Sequence, residues 1–276
     1  MPDDNKKELD ELQVRIKRNM FRIKNKFIVI SGKGGVGKTS VAVNLAYGLA
    51  LKGYSIGIMD TDIHGPNIAK MLGVEGKQFT WKDSLIEPIE VLPNLKAVSV
   101  AFLDKDPDSP MIWRGPLKMG LIRQFLGDVE WGDLDYFIVD SPPGTGDEPL
   151  SVCQLIPDMD GAIVVTTPQD VAVMDARKSI VFAGALKVPV VGVIENMSGF
   201  TCPKCGEKIN LFKTGGGEKA AQDLGVPFLG RIPIEPDMVE FADAGKPYVH
   251  FKKETQTARS INDIIDKIIK FKKTGI

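Results

Sequence analysis

The fold is set by one short stretch of the chain, Gly32-Lys33-Gly34-Gly35-Val36-Gly37-Lys38-Thr39. An apolar, β-branched run over residues 27–30 comes directly before it, and a run typical of a helix, residues 40–50, comes directly after it. A strand, a glycine-rich loop and a helix in this order are the context that a phosphate-binding P-loop requires. The stretch therefore predicts a nucleoside triphosphate site at the start of an α/β domain.

The chemistry of a P-loop assigns roles to these residues. The glycines let consecutive backbone N–H groups turn toward phosphate oxygens. Lys38 is predicted to reach the β- and γ-phosphates of ATP, and the hydroxyl of Thr39 to ligate Mg²⁺. The positive N-terminal end of the following helix points at the same anion. The predicted nucleotide-binding residues of the loop are Gly32, Lys33, Gly34, Gly35, Val36, Gly37, Lys38, Thr39 and Ser40.

Length and composition are those of an ordinary globular protein. The chain has 276 residues, of which 43% are hydrophobic and 26% charged, enough to bury a large core. A formal net charge of -1 argues against bulk electrostatic binding to nucleic acid or to an anionic membrane. No apolar run approaches the roughly 18 residues of a transmembrane helix, and three cysteines make no disulfide framework. We expect a cytoplasmic protein with neither a membrane nor a stable nucleic-acid partner.

The pattern along the chain predicts a short extension followed by one domain. Residues 1–25 are highly charged, with apolar residues at helical spacing, and predict an amphipathic N-terminal helix. Residues 26–276 are predicted to form a single P-loop ATPase domain. In it, apolar strands alternate with helices, which indicates βαβ units and a parallel sheet with helices on both faces.

Carboxylates follow two of the predicted strands. Asp62 lies just beyond the strand over residues 54–59, and Asp140 directly follows the strand over residues 136–139. Open α/β sheets bind ligands at the carboxyl ends of their strands, so both side chains are predicted to face the P-loop. An apolar strand that ends in Asp is the Walker B pattern, whose carboxylate holds Mg²⁺. Asp62 is predicted to orient a water or to approach the metal, although Asp is also common in caps and turns.

Three further residues are predicted to lie near the nucleotide. Gly144 follows Asp140 in a Pro-Gly turn, and its N–H is a candidate sensor of the γ-phosphate. Asn196 comes just after a predicted strand, and its amide can pair with an adenine edge, but simple turn chemistry explains an Asn there equally well. Pro233 follows the last predicted strand, where a loop can cover the adenine.

Cys202 and Cys205 have the C-x-x-C spacing that can bind one soft metal centre. A redox-active pair usually opens a helix, which the residues after Cys205 do not resemble. A zinc site within one chain needs a second pair, and the third cysteine, Cys153, lies alone in a predicted helix. A two-fold homodimer would bring four thiolates together, which suits either zinc or a 4Fe–4S cluster. The ligands alone do not choose between these, and two unliganded cysteines in a surface turn remain the alternative.

The motifs together resemble known ATPases. The octet with its additional Lys33 resembles the deviant Walker A motif of the MinD/ParA/nitrogenase-iron-protein class. The wider set resembles the Mrp/ApbC family of iron–sulphur cluster carrier ATPases over roughly residues 20–270. That set consists of GKGGVGKT, DTDIHGPN, DSPPGTGDE, ENMSGF with the C-x-x-C that follows it, and GGGEKAAQDLGVPFLGRIPI.

The resemblance implies a fold, an activity and a partner. The fold is a single P-loop α/β domain, and the activity is slow ATP hydrolysis that serves delivery of a labile 4Fe–4S cluster from a homodimer to apo-proteins. By position, Lys33 reaches across the dimer to the partner's nucleotide, Asp62 activates the attacking water, and Asn196 binds adenine. Lys33, Lys38 and Asp62 are thus the expected catalytic residues. The bridging cluster ligands implied by the resemblance are Cys202 and Cys205.

Two alternative functions remain open at this point. A MinD/ParA-type positioning ATPase needs a membrane-targeting tail or a DNA-binding patch, and the predicted closing helix over residues 255–271 carries both lysines and isoleucines. The cysteine pair argues against this alternative, because positioning does not need it. A zinc-bridged, nucleotide-binding scaffold would use the same cysteines without a cluster.

Overall fold

The computed structural model describes residues 2–63, 65–83, 85–103, 115–202 and 204–272. In chain order its strands are β1 (Ile23–Ile30), β2 (Ile56–Asp60), β3 (Thr80–Lys82), β4 (Leu85–Glu87), β5 (Ile89–Leu92), β6 (Leu95–Val98), β7 (Leu134–Asp140), β8 (Gly161–Thr166), β9 (Val190–Glu195), β10 (Phe200–Thr201), β11 (Lys208–Ile209) and β12 (Phe228–Arg231). Its helices are α1 (Pro2–Phe21), α2 (Lys38–Leu51), α3 (Ile68–Met71), α4 (Gly115–Gly127), α5 (Asp147–Leu155), α6 (Asp170–Ala185), α7 (Gly216–Asp223), α8 (Asp237–Asp243), α9 (Tyr248–Phe251) and α10 (Gln256–Lys270), with a 3₁₀ turn at Val100–Phe102.

Most strands belong to one sheet. Within the described ranges, eight strands form it in the order β12-β9-β8-β1-β7-β2-β6-β5. Neighbouring strands pair in parallel, except that β5 pairs antiparallel with β6 at one edge. Two short antiparallel hairpins, β3–β4 and β10–β11, stand outside this sheet. The predicted α/β fold with a parallel sheet is confirmed.

Helices cover both faces of the sheet, so its strands are buried on both sides and are continuously apolar. Successive residues of β1 enter different cores, with Val29 on one face and Ile28 on the other. Helices α2 and α10 supply Leu45 and Ile265 to the first core. The second core includes Phe125 of α4 and residues of α5 and α6.

The strand order places the predicted site. β7 lies between β1 and β2, and all three run parallel. Their carboxyl ends therefore meet at one edge of the sheet, where the loop after β1 begins. The register aligns Asp60, the last residue of β2, with Asp140, the last residue of β7. The fold thus brings the P-loop and the acidic strand ends together.

The N-terminal helix packs on the domain through its second half. Ile16 and Met20 are fully buried in the core beneath α4. The side-chain amide of Asn19 donates hydrogen bonds of 3.0–3.1 Å to the carbonyls of Leu126, Gly127 and Val129, which lie at the end of α4. These bonds satisfy carbonyls that a helix end leaves without intrahelical partners. β1 begins at Ile23, ahead of the boundary predicted after residue 25.

Several predicted boundaries shift, and two regions were not predicted. The apolar run over residues 95–101 predicts a strand. The observed strand ends at Val98, because the hydroxyl of Ser99 accepts from Ala101 N–H and begins a 3₁₀ turn. The edge strand β5 and the β3–β4 hairpin lie in a proline-containing stretch without a clear alternating pattern. The sequence also predicts a helix that opens at Trp113 and Arg114, and a polar loop residue at His64. These three residues lie outside the part of the chain that the structure describes.

The closing helix α10 buries its apolar face. Thr255 caps its start by accepting a hydrogen bond from Ala258 N–H at 3.2 Å. Its isoleucines pack into the core formed with α2 and β12, namely Ile261, Ile264, Ile265 and Ile268. In the parts of the chain that the structure describes, no helix has both the length and the apolar composition needed to cross a membrane.

Candidate functional site

The loop after β1 requires glycine at two positions. Gly37 has φ 78° as the residue before α2, and a Cβ there would lie 2.3 Å from Nδ2 of Asn196. A Cβ on Gly32 would lie 2.2 Å from the backbone carbonyl carbon of Asp175 in α6. The loop is therefore held between α6 on one side and the end of β9 on the other. Such close approach is possible only without a side chain.

The lysine and threonine that open α2 both contact the Walker B aspartate. Nζ of Lys38 donates to Oδ1 of Asp140 at 2.5 Å, and Oγ1 of Thr39 donates to Oδ2 at 2.6 Å. The ion pair is buried, with Lys38 6% and Asp140 0% exposed. Burial raises the pKa of Asp140 above its usual value, against the opposing effect of Lys38. The structure thus brings together the predicted phosphate-binding lysine and the predicted metal ligands Thr39 and Asp140.

A second buried carboxylate, Asp60, lies beside this pair. Its Oδ1 accepts from the N–H of Asp62 at 3.0 Å, and Ser99 donates its hydroxyl to Oδ2 at 3.3 Å. Burial, and then the charge of Asp140, raise the pKa of Asp60 well above its usual range. Asp60 therefore shapes the turn that carries Asp62, a role that its sequence position did not reveal.

We expect Asp60→Asn to stabilise the protein at pH 8 and to leave its stability nearly unchanged at pH 4. A carboxyl whose folded pKa is raised binds its proton more tightly in the folded state, so the wild type loses stability as pH rises above the unfolded pKa toward the folded one. Asparagine cannot ionise, so the variant avoids that loss. Its free energy of unfolding at pH 8 should exceed that of the wild type by on the order of 1 kcal/mol. Urea denaturation at the two pH values measures the difference.

Asp133→Asn is a control of opposite sign. A hydrogen bond from Arg22 lowers the pKa of Asp133, so its carboxylate contributes stability that is present at pH 8 and lost as pH falls. The Asp133 variant should therefore be less stable than the wild type at pH 8. An Asp60 variant with the pH dependence of the wild type would contradict the assignment of Asp60.

The predicted phosphate end of the site is a cleft of about 240 Å³ lined by the P-loop, Asp62 and Pro143. Lys33 is exposed, and its ammonium makes no hydrogen bond or ion pair within the described residues. Asp62 is half-buried at the cleft wall. The N–H of Gly144 donates to the carbonyl of Ser31 at 2.8 Å, so the predicted γ-phosphate sensor is bonded to the start of the P-loop.

A second cavity of about 300 Å³ adjoins the first and shares Gly37, Ser40 and Met71 with it. Asn196 and Pro233, both predicted to lie near adenine, line this second cavity. Nδ2 of Asn196 also donates to the carbonyl of Val36 at 2.9 Å, which holds the P-loop in place. No spacing pattern in the sequence marks the apolar residues that complete the wall, among them Met197, Phe212, Ile234, Met238 and Val239.

The two predicted cluster ligands lie in the turn between β10 and β11. Cys202 N–H donates to the carbonyl of Glu207, and Gly206 N–H donates to that of Cys202, both at 2.9 Å. The N–H groups of Cys205 and Lys204 lower the pKa of Cys202, which favours the thiolate that binds metals. Across the described chain, no group of three or more His, Cys, Asp or Glu side chains is placed to hold a metal ion. Within the described residues, one chain therefore presents two thiols here without the remaining ligands of a metal site.

The segment that carries these cysteines, residues 198–215 (the cysteine loop), begins and ends on one buried carboxylate. Oε1 of Glu195 accepts from the hydroxyl of Ser198 at 2.5 Å and from Gly215 N–H at 2.9 Å. Oε2 accepts from Gly217 N–H at 2.6 Å, in the first turn of α7. Arg231 lies 3.3 Å from the same carboxylate, which is 0% exposed. The sequence did not mark Glu195 as a site residue. Its position directly before Asn196, at the end of a strand, is a signal that could have identified it.

We expect Glu195→Ala to lower the free energy of unfolding by about 3 kcal/mol, because it leaves buried N–H groups without an acceptor. Glu218→Ala is the matched control, since Glu218 also pairs with Arg231 but at a partly exposed position. Such a surface pair contributes at most about 1 kcal/mol. Urea denaturation of both variants tests the difference, and equal losses would show that Glu195 does not hold the loop.

Comparison with known proteins places this geometry in a family. A family model described as ParA: NUBPL iron-transfer P-loop NTPase matches residues 22–269. A protein of Methanocaldococcus jannaschii that is named iron-sulfur cluster carrier protein is 50% identical to this chain, over 96% of this chain and 92% of the relative. Another from Pyrococcus horikoshii is 47% identical over 94% of this chain and 90% of the relative.

Solved structures share the fold. A nucleotide-binding protein of Archaeoglobus fulgidus, in complex with ADP and with Co, has a TM-score of 0.75 and 38% identity over 85% of this chain and 92% of that chain. The cell division ATPase MinD of Pyrococcus furiosus has a TM-score of 0.64 over 89% of this chain and 98% of that chain, and at 23% identity it supports the fold alone. The family match and the curated relatives confirm the resemblance inferred from the motifs, and the chain belongs to the NUBPL-type iron-transfer P-loop NTPases of the ParA group.

Proposed function

We propose that this protein is an ATP-hydrolysing carrier that holds a labile 4Fe–4S cluster between two copies of the chain and transfers it to apo-proteins. One observation carries the proposal. The same chain presents a P-loop site and, at the tip of a separate hairpin, two thiols without further ligands in the described residues. The names of the relatives, which are iron-sulfur cluster carriers, support the same cargo.

The nucleotide would lie along the two adjoining cavities. Lys38 and the P-loop N–H groups would bind its phosphates, and Asn196 and Pro233 would border its base. Thr39, Asp62 and Asp140 offer oxygen donors, the ligands that Mg²⁺ prefers. Bound there, Mg²⁺ would neutralise charge on the β- and γ-phosphates. Lys38 and Thr39 already contact Asp140. These three side chains would therefore need little rearrangement to bind the phosphates and Mg²⁺ together.

Catalysis would depend on a second copy of the chain. Lys33 is exposed beside the phosphate cleft, so its charge is available to the nucleotide of a partner. Asp62 would orient the attacking water, and Gly144 would exchange its bond with Ser31 for one with the γ-phosphate. We expect slow turnover, since each cycle requires this rearrangement.

A homodimer would also complete the metal site. Four thiolates from two Cys202/Cys205 pairs form a Cys₄ set, which suits a 4Fe–4S cluster or zinc. The iron-sulfur naming of relatives that are 44–50% identical favours the cluster. The protein would act in the reducing cytoplasm, where exposed thiols such as Cys205 stay free of disulfides.

The closing helix does not support the membrane-targeting form of the positioning alternative. A membrane-targeting tail must present its apolar residues to lipid. The isoleucines of α10 are instead buried against α2 and β12. The zinc scaffold uses the same cysteines and is distinguished by experiment.

Anaerobic reconstitution with iron and sulfide tests the proposal. We expect visible thiolate-to-iron absorbance, about four iron atoms per dimer, and transfer of the cluster to an apo-enzyme that recovers its activity. The transfer assay is run with ATP, with ADP and without nucleotide, and its rate should depend on the nucleotide. A protein that retains only zinc after reconstitution would support the zinc scaffold and contradict the carrier.

A further inference from the structure

One aromatic residue of the cysteine loop reaches the nucleotide site. Phe212 lines the second cavity, as do Asn196 and Pro233. It follows β11 by three residues, so it is directly connected to the hairpin whose tip carries Cys202 and Cys205. Among the described residues of the cysteine loop, no other one lines either nucleotide cavity.

A second residue of the cavity lining, Ile234, is bonded to the start of the hairpin's other strand. Ile234, which lines the cavity, donates its N–H to the carbonyl of Gly199 at 2.8 Å. Phe200, the first residue of β10, forms a β-bridge with Ile234. One strand of the hairpin thus contacts the cavity through Ile234, and the other strand continues into Phe212.

The hairpin connects this cavity to the thiols through paired residues. β10 and β11 pair through Phe200 with Ile209 and Thr201 with Lys208. The next residue, Cys202, is bonded to Glu207 across the turn. A displacement of Phe212 or of Ile234 would therefore move the strand ends that carry the cysteines.

Phe212 is an incompletely covered aromatic. Its side chain is 39% exposed, and the wall around it is apolar, with Met238 and Val239 nearby in the lining. An aromatic ring at the edge of an apolar cavity is suited to stack on a flat base, which every nucleobase presents. The ring needs no particular base to make this contact.

We propose that Phe212 contacts the base of the bound nucleotide and thereby couples nucleotide binding to metal binding at Cys202 and Cys205. This inference rests on the proposed function, since it takes a nucleotide as the occupant of the cavity. A base in the cavity that Phe212 and Ile234 both line constrains both attachments of the hairpin and so reduces the conformations open to the thiols. Coupling of this kind is reciprocal, because nucleotide and metal must change each other's affinity by the same factor.

The test uses the full chain with three probes. Mg-ADP and inorganic pyrophosphate are titrated by calorimetry, because only ADP has a base. Co²⁺ is titrated with and without ADP and followed by its thiolate absorbance. Phe212→Ala is compared with Leu211→Ala, since Leu211 is the neighbouring residue, is 56% exposed and lies outside both cavities.

We expect ADP to shift the Co²⁺ affinity of the wild type by about fivefold or more. Phe212→Ala should weaken ADP binding by about 5- to 150-fold, leave pyrophosphate binding within about twofold of the wild type, and bring the effect of ADP on Co²⁺ close to none. Leu211→Ala should behave as the wild type in all three measurements. A purely structural role for Phe212 would instead change Co²⁺ binding without nucleotide and keep the coupling.

The outcomes separate this inference from the proposed function. A wild type that binds ADP and Co²⁺, with a Phe212 variant that keeps ADP affinity and coupling, overturns the inference alone. Equal losses of ADP affinity in the Phe212 and Leu211 variants also overturn the inference. So does a Phe212 variant whose loss of pyrophosphate affinity equals its loss of ADP affinity. A wild type that binds neither ADP nor Co²⁺ contradicts the proposed function and the inference with it.

Discussion

Lys38→Ala is expected to abolish ATP turnover and also to lower the free energy of unfolding by about 3–5 kcal/mol. The turnover is lost because the phosphates lose their buried cation. The stability is lost because Asp140 is 0% exposed and would keep a carboxylate without its ion-pair partner, beside the second buried carboxylate of Asp60. Steady-state ATPase assays and urea denaturation of nucleotide-free protein measure the two effects separately.

Lys33→Ala is the matched control for this variant, because both lysines belong to the same loop but only Lys38 is buried. Lys33 makes no ion pair in the described chain, so its removal should change stability by less than about 0.5 kcal/mol. It should still lower turnover by about 10²-fold, as expected for the loss of one charge-stabilising donor, while ADP affinity stays near that of the wild type. A Lys38 variant with full turnover would contradict the site, and a Lys33 variant with full turnover would contradict its action in the partner's site.

Cys202→Ser and Cys205→Ser are each expected to remove nearly all reconstituted iron and sulfide, because a serine hydroxyl does not replace a thiolate as a soft-metal ligand. One substitution removes two of the four ligands in a homodimer, so the loss should exceed that for a single ligand in a one-chain site. Iron and sulfide content, and visible absorbance after anaerobic reconstitution, report the result. ATP turnover of these variants should remain measurable, since the P-loop lies outside the hairpin.

Cys153→Ala is the corresponding control. Burial raises the pKa of Cys153 to about 11, so this thiol is protonated at neutral pH and unsuited to bind a metal. Its removal should leave cluster content unchanged. A cluster that survives in both the Cys202 and Cys205 variants, or one that disappears in the Cys153 variant, would contradict the assignment of ligands.

The features that sequence predicts here are those built from neighbouring residues. The P-loop binds phosphate through consecutive backbone groups, so its spacing is visible in eight contiguous positions. The Walker B strand is readable for the same reason, as an apolar run that ends in Asp140. Parallel order of the sheet followed from the alternation of strands and helices. Family resemblance then assigned roles to Asn196 and the cysteines that local chemistry left open.

The features that sequence missed depend on residues far apart in the chain. The Asp60 and Asp140 pair forms only when β2 and β7 align in register. The bond from Gly144 to Ser31 and the place of Phe212 in the cavity likewise need the folded sheet. The edge strand β5 is short and irregular, with a register shift against β6, so no periodicity marks it. Propensity and spacing carry no information on such contacts.

The closure of the cysteine loop on Glu195 determines how the length of this loop can be altered. Ser198 and Gly215 are hydrogen-bonded to the same carboxylate. The end of β9 and the start of α7 are therefore held together whatever residues lie between them. Lengthening a closed loop costs little, about 0.6 kcal/mol per doubling of its length. The length of the loop can therefore change at little cost in stability, provided that Phe212 and the bond from Ile234 to Gly199 are kept.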